Sequence, residues 1–284
     1  MSSKALFISM LRIILAILIG FPLTMAIILF IFQEKFLFLP PAPDEAMIRR
    51  VRNKFPGSEI TLTTPDHVKL HGWYISNNTA PKSPLLIYFG GNSEDMTGIL
   101  EDPFFDLTQF QNCALLLVNY RGYGQSEGLP GEKHFFQDAV FLYDYFANQD
   151  EIDKTGIIAM GRSLGTGVAV HLASQRTLKG IILVSPYDSI TNVAQEIYPY
   201  IPVSVFIRHP FDAASLCSDI RIPLLAITAA ADSTISSERS LALITKWGGP
   251  CDHVSIPRAD HNDLNLSKLY WESINNFLRL EMGL

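Results

Sequence analysis

The stretch Ile157-Ile158-Ala159-Met160-Gly161-Arg162-Ser163-Leu164-Gly165-Thr166-Gly167 constrains the fold more than any other part of the chain. An apolar run ends in Gly-x-Ser-x-Gly and passes directly into Val168-Ala169-Val170-His171-Leu172-Ala173, a helix-forming segment, so Ser163 is expected on a sharp strand-to-helix turn. On such a turn the glycines at 161 and 165 leave out the Cβ atoms that would collide where strand and helix cross. The serine hydroxyl is thereby lifted into solvent. A bare Gly-x-Ser-x-Gly also occurs in ordinary glycine-rich turns, so the flanking strand and helix carry the reading.

The rest of the chain alternates in the same way. Short continuous apolar runs at 85–89, 114–118, 156–160, 181–184 and 224–227 have the pattern of strands covered on both faces. Residues 59–63 and 68–75 instead alternate apolar with polar around Pro65-Asp66, which predicts an antiparallel hairpin at a sheet edge. Two apolar stripes have helical spacing and are expected to face the core. One is Phe135, Ala139, Leu142, Tyr143 and Phe146; the other is Leu266, Leu269, Tyr270, Ile274, Phe277 and Leu278. Strand and helix in alternation imply a mostly parallel sheet with helices on both faces and right-handed crossovers. The connection over 185–222 is longer than a crossover helix requires and rich in Tyr, Phe and Pro. It predicts either a small cap or lid, or a loop packed by its own aromatics.

At 284 residues the chain can hold one large α/β domain, and its positive mean hydropathy comes mostly from the N-terminus. Ile13 to Phe32 carries no charge and would span roughly 30 Å as a helix. That run is too long for a signal-peptide core, and no Ala-x-Ala pattern follows it. The expected layout is therefore a retained single-pass transmembrane anchor over 1–33, a juxtamembrane connector over 34–56 made semi-rigid by Pro40, Pro41 and Pro43, and a globular domain over 57–284. Lys4 and Arg12 precede the span while Lys35, Arg49, Arg50, Arg52 and Lys54 follow it, so the charge bias depends on how far it is counted. A short tail ahead of a signal anchor favours the domain on the non-cytoplasmic side. A net charge of -6 without a basic stripe argues against nucleic acid as a partner. Cys113, Cys217 and Cys251 lack metal-ligand spacing and are expected as buried thiols. Asn77-Asn78-Thr79 and Asn265-Leu266-Ser267 fit glycosylation sequons.

A serine hydroxyl needs a general base, and the base needs a group that fixes its tautomer. In open parallel sheets such residues gather just beyond the carboxyl ends of strands. Asp232 stands a few residues after the run at 224–228, and His261 follows 251–256, a predicted last strand. The order Ser163, Asp232, His261 is that of nucleophile, acid and base in α/β-hydrolases. His67, His71, His134, His171, His209 and His253 have no comparable placement, while Asp188, Asp212, Asp260 and Asp263 compete with Asp232 for the acid. The expected oxyanion donors are the backbone N–H groups of Leu164, at a helix N-terminus, and of Asn92, in the glycine-rich loop Gly90-Gly91-Asn92-Ser93. Dinucleotide binding at 161–167 is excluded, because the glycine spacing is wrong and no phosphate-loop lysine is present.

Five segments together resemble the membrane-anchored α/β-hydrolase-domain serine hydrolases: Gly90-Gly91-Asn92, Asn119-Tyr120-Arg121-Gly122-Tyr123-Gly124 with its continuation to Pro130, Gly161 to Gly165, Ser185-Pro186-Tyr187, and Asp260-His261-Asn262-Asp263. The resemblance covers nearly everything after the anchor. It implies an α/β-hydrolase fold, with Ser163 as nucleophile, Asp232 as acid and His261 as base, and no metal or organic cofactor. In that family the Asn-Tyr-Arg-Gly-Tyr-Gly segment follows the strand next to the nucleophile strand. Arg121 within it is read as bracing the loop, with substrate contact as the alternative. Two departures stand out: Gly90 replaces a histidine common in the oxyanion loop, and Ala229-Ala230-Ala231 replaces a His-Gly pattern before the acid. Relatives act on acyl glycerols, lysophospholipids or protein thioesters. The expectation is hydrolysis of an ester or thioester of an acyl or lipid-like substrate, or of an acylated protein; the alternative is a non-catalytic, membrane-anchored binding or scaffold protein on the same fold.

Overall fold

The computed structural model describes residues 3–76 and 81–283, which leaves the first sequon, Asn77-Asn78-Thr79, outside the described residues. The described residues form one eight-stranded sheet from β1 (Glu59–Thr63), β2 (Lys69–Ile75), β3 (Ser83–Phe89), β4 (Ala114–Val118), β5 (Ile152–Arg162), β6 (Gly180–Val184), β7 (Leu224–Ala229) and β8 (Cys251–Ile256), in spatial order β1-β2-β4-β3-β5-β6-β7-β8. The hairpin β1–β2 pairs Leu62 with Leu70, β2 runs antiparallel to β4, and every remaining pairing is parallel.

The continuous apolar runs are explained by burial on both sides of this sheet. In β3, Leu85, Ile87 and Phe89 enter one core while Leu86 and Tyr88 enter the other, and β5 divides likewise between Ile157, Ala159 and Ile158, Met160. A one-residue slip would exchange the two sets, so register is fixed wherever helices cover both faces. One face is covered by α4 (Glu132–Ala147), α5 (Leu164–Gln175) and α8 (Ser237–Ile244), the other by α2 (Glu45–Lys54), α3 (Met96–Glu101) and α9 (Lys268–Met282). The predicted stripe of α4 is wholly buried.

Several expectations need correction. The stripe of α9 begins at Tyr270: Leu266 lies in a 3-10 turn and Leu269 on the outer face of the first helical turn, and both are exposed because packing on the sheet starts only with Tyr270. Cys113 and Cys217 are buried free thiols, but Cys251 is exposed, since it opens the edge strand β8. The strand before Asn119, β4, is not next to β5, the strand that leads into Ser163; β3 lies between them, because the crossover through α4 passes over one strand.

The N-terminal layout also differs. The first helix, α1, runs Ser3–Leu37, past the expected boundary at residue 33, and the segment expected as a proline-stiffened connector carries α2, capped by the Asp44 carboxylate accepting from the N–H groups of Ala46 and Met47. Among the described residues no helix is long and apolar enough to cross a membrane, so the single-pass span expected over 13–32 is not found. From Ala26 onward one face of α1, with the residues just after it, packs on the protein itself, while Ile27, Ile28, Ile31, Phe32 and Phe36 stay exposed. Ala26 is buried against Ile201 and Val203, Gln33 donates to the Phe206 carbonyl and accepts from the Arg208 N–H, and Phe38 packs edge-on against Phe135 at 5.3 Å.

Candidate active site

The 185–222 connection lies over the carboxyl ends of the strands. Its two helices, α6 (Ile190–Ile197) and α7 (Val203–Phe206), meet the docked end of α1 above the β5–α5 turn. Ser163 occupies that turn with φ 49° and ψ -119°, a conformation that costs a non-glycine residue on the order of 1–3 kcal/mol. The crossing is too close for side chains on either flank. A Cβ at Gly161 would lie 2.4 Å from the Gly165 carbonyl oxygen, and one at Gly165 would lie 2.1 Å from that of Phe89. The strain is held by the Ser163 N–H donating to Val184 on β6 and by the packed start of α5.

Asp232 and His261 come from the loops after β7 and β8 and converge on this turn. His261 Nε2 lies 2.9 Å from Ser163 Oγ, and His261 Nδ1 lies 2.9 Å and 3.0 Å from the two oxygens of Asp232. Both side chains are buried, at 7% and 4% exposure, so this relay is shielded from competing water. Asp232 accepts further hydrogen bonds from the N–H groups of Thr234 and Ile235 and from Ser185 Oγ. Burial pushes its pKa up, but His261 and the Ile235 and Thr234 N–H groups outweigh burial and hold it below the usual carboxylate value. The carboxylate is therefore ionised at neutral pH.

The competing acids are engaged elsewhere. Asp188 pairs with Arg239 at 2.8 Å, and Asp212 caps Ser215. Asp260 accepts from the N–H groups of Ser233 and His261, and Asp263 accepts from that of Asp260, so both shape the histidine loop. The other histidines are also placed apart: His71 meets Glu59, His253 meets Thr228, and His171 stacks on Phe136 at 4.0 Å.

Asn92 and Leu164 both line the cavity beside Ser163. Leu164 opens α5, where first-turn N–H groups have no helical acceptor. The Asn92 loop is fixed from three sides. Its side-chain oxygen accepts from the Leu39 N–H, its carbonyl accepts from Tyr123 Oη at 2.7 Å, and the Gly91 N–H donates to Glu94.

Sequence reasoning missed three residues here. Arg162 stood only as the variable position before the serine, yet it pairs with Glu94 of the Asn92 loop and donates to the His261 carbonyl and to Asn262 Oδ1, each at 3.0 Å. Burial opposes its charge, but the Glu94 carboxylate raises its pKa further. Glu94 and Arg162 thus tie together the loops that carry Asn92 and His261. Ser185, which adopts φ 47° and donates to Asp232, was visible only as part of Ser-Pro-Tyr. No spacing rule marks any of them, because each acts through a contact between distant loops. Arg121 is buried between Asp66 and Asp138, in keeping with a loop-bracing role. Among the described residues no group of His, Cys, Asp or Glu could hold a metal ion.

Fold and site together define an α/β-hydrolase-fold protein. A family model described as an alpha/beta hydrolase of unknown function matches residues 105–194. An uncharacterized protein of Mycobacterium tuberculosis is 27% identical over 261 residues, covering 89% of this chain and 90% of that one. Alpha/beta hydrolase domain-containing protein WAV2 of Arabidopsis thaliana is 26% identical over 270 residues, covering 87% of each. Among solved structures, Est1E from Butyrivibrio proteoclasticus with ferulic acid bound superposes with a TM-score of 0.66 at 19% identity, covering 79% of this chain and all of that one. The last likeness is one of fold.

Proposed function

We propose that the protein is a serine hydrolase of carboxylic esters or thioesters, acting on an acyl or lipid-like substrate or an acylated protein. The observation that carries this reading is the unbroken relay from Ser163 Oγ through His261 to an ionised, buried Asp232, each step about 2.9 Å. His261 Nε2 takes the proton from Ser163 Oγ as the oxygen attacks the acyl carbonyl. The N–H groups of Leu164 and Asn92 hold the resulting oxyanion, the dipole of α5 adding to the first. Collapse breaks the bond to the leaving alcohol or thiol, which takes the proton from His261 and leaves an acyl-Ser163 ester. Water then attacks that ester with His261 as base, and the free acid departs.

A fluorophosphonate probe tests this on the purified protein. Wild type is expected to be labelled covalently, and Ser163→Ala and His261→Ala to lose labelling while keeping their folding transitions. A folded wild type that resists the probe would favour a non-catalytic hydrolase-fold binding protein instead, and a labelled Ser163→Ala would remove Ser163 as nucleophile.

The exposed apolar turns of α1 ahead of Ala26, including Phe7, Met10, Ile13 and Ile14, support attachment to a membrane, and Lys4 and Arg12 ahead of the apolar stretch favour the hydrolase domain on the non-cytoplasmic side. The protein is expected to stay in the membrane fraction through an alkaline carbonate wash and to be cleaved by protease added to intact cells. Release by carbonate overturns the attachment, and protection of the domain overturns the orientation.

A further inference from the structure

A cavity of about 410 Å³ extends from Ser163 between α1 and the pair α6 and α7, within the range of roughly 300–1,000 Å³ typical of small-molecule sites. Resting on the serine-hydrolase reading, we propose that the end of α1 from Ala26 onward is one wall of an acyl-chain groove, which makes the protein selective for esters of long, unbranched acids.

The lining is polarised along its length. Asn92, Arg162, Ser163, Thr234, His261 and Asn262 gather at one end. The far end is Ala26, Leu29, Ala194, Ile201, Val203 and Phe206. An occupant that presents a polar carbonyl to Ser163 and an apolar tail to the far end matches both halves. From Ala26 to Phe36 the wall is eleven residues long, about 15 Å at the helical rise. Ala26, Ile201 and Val203 are each under a tenth exposed and pack together in one apolar cluster at that end.

This wall is built in rather than laid on. Arg208 donates to the Phe30 carbonyl and pairs with Glu34, Gln33 both accepts from and donates to the 206–208 backbone, and the Phe30 and Phe206 rings meet edge-on at 6.5 Å. Just beyond the helix, the Leu39 N–H holds the Asn92 side chain, so the segment that shapes the groove also steadies the oxyanion loop. That contact brings α1 in from the oxyanion side, whereas the leaving group must depart beside His261, which protonates it. The groove is thus assigned to the acyl chain and not to the alcohol.

The test compares kcat/KM for p-nitrophenyl laurate, p-nitrophenyl acetate and dodecyl acetate on the full chain in detergent, with fluorophosphonate labelling measured on every variant. Wild type is expected to prefer laurate. Leu29→Trp on α1 and Ala194→Phe on α6 fill the groove from opposite walls, and each is expected to lower the laurate-to-acetate ratio at least about tenfold, since single methylenes in an apolar pocket already discriminate on that scale. Ile31→Trp, on the same helix but outside the groove, is expected to keep the wild-type ratio. Labelled proteins whose ratio does not respond to either groove variant would overturn the groove while leaving the serine hydrolase in place. So would variants that impair dodecyl acetate and spare laurate, because the groove would then hold the alcohol. Absence of labelling in wild type removes the hydrolase and the groove with it.

Discussion

Asp232→Asn is expected to lower kcat on a p-nitrophenyl ester by about four orders of magnitude with little change in KM or folding, the scale reached when the orienting acid of a serine triad loses its charge. The size of the effect follows from the hydrogen bonds that Asp232 already accepts. Its Oδ1 receives the Thr234 and Ile235 N–H groups, which can be satisfied only by an oxygen, so the asparagine amide must turn its nitrogen towards the Oδ2 position. There it faces Ser185 Oγ at 2.9 Å and His261 Nδ1 at 2.9 Å, while the oxygen at the Oδ1 position, 3.0 Å from Nδ1, is already taken up by the two backbone N–H groups. The hydroxyl can rotate to accept. The imidazole cannot accept on Nδ1 without carrying its proton on Nε2, and Nε2 is then a donor towards Ser163 with no lone pair for the serine proton. The negative charge that would stabilise the imidazolium is lost as well. A kcat within tenfold of wild type would show that Asp232 does not orient the base.

The large features of this molecule could be read from the sequence because they rest on local pattern. Apolar runs without alternation predict strands buried on both faces, and β3 to β7 divide their side chains between two cores as such runs require. The turn at Ser163 was legible because glycine is obligatory where strand and helix touch, and a strand-end rule then placed Asp232 and His261. Contacts between loops carry no such pattern. Arg162, Glu94 and Ser185 are ordinary polar residues in sequence and become informative only when three loops converge. The end of α1 misled for a related reason. Apolar residues on a helix facing lipid and on a helix facing a cap have the same composition, and only the partners of Ala26 and Gln33 separate the two.

The second large effect concerns stability. Arg121→Ala is expected to destabilise the fold by about 3–5 kcal/mol, the cost of leaving one member of a buried ion pair alone, and to lower Tm on the order of 10 °C. Arg121 is 4% exposed and donates to Asp138 at 2.7 Å and 2.8 Å and to Asp66 at 2.6 Å and 2.8 Å. Its loss acts unequally on the two. The Asp66 side chain is 56% exposed and returns to water, whereas that of Asp138, 6% exposed on α4, has no comparable solvent. Burial already raises the Asp138 pKa despite the guanidinium, and without it the pKa rises further. A carboxyl whose folded pKa lies above its unfolded value binds more protons when folded, so stability falls as pH increases through that window and recovers below it. The deficit of Arg121→Ala against wild type should accordingly be largest near neutral pH and narrow towards about pH 4, and Arg121→Met combined with Asp138→Leu should regain most of it. Thermal unfolding of the three proteins across pH is the measurement. A deficit independent of pH, or no recovery in the double variant, would mean that the guanidinium acts by packing the Asn119 to Gly124 loop and not by neutralising Asp138.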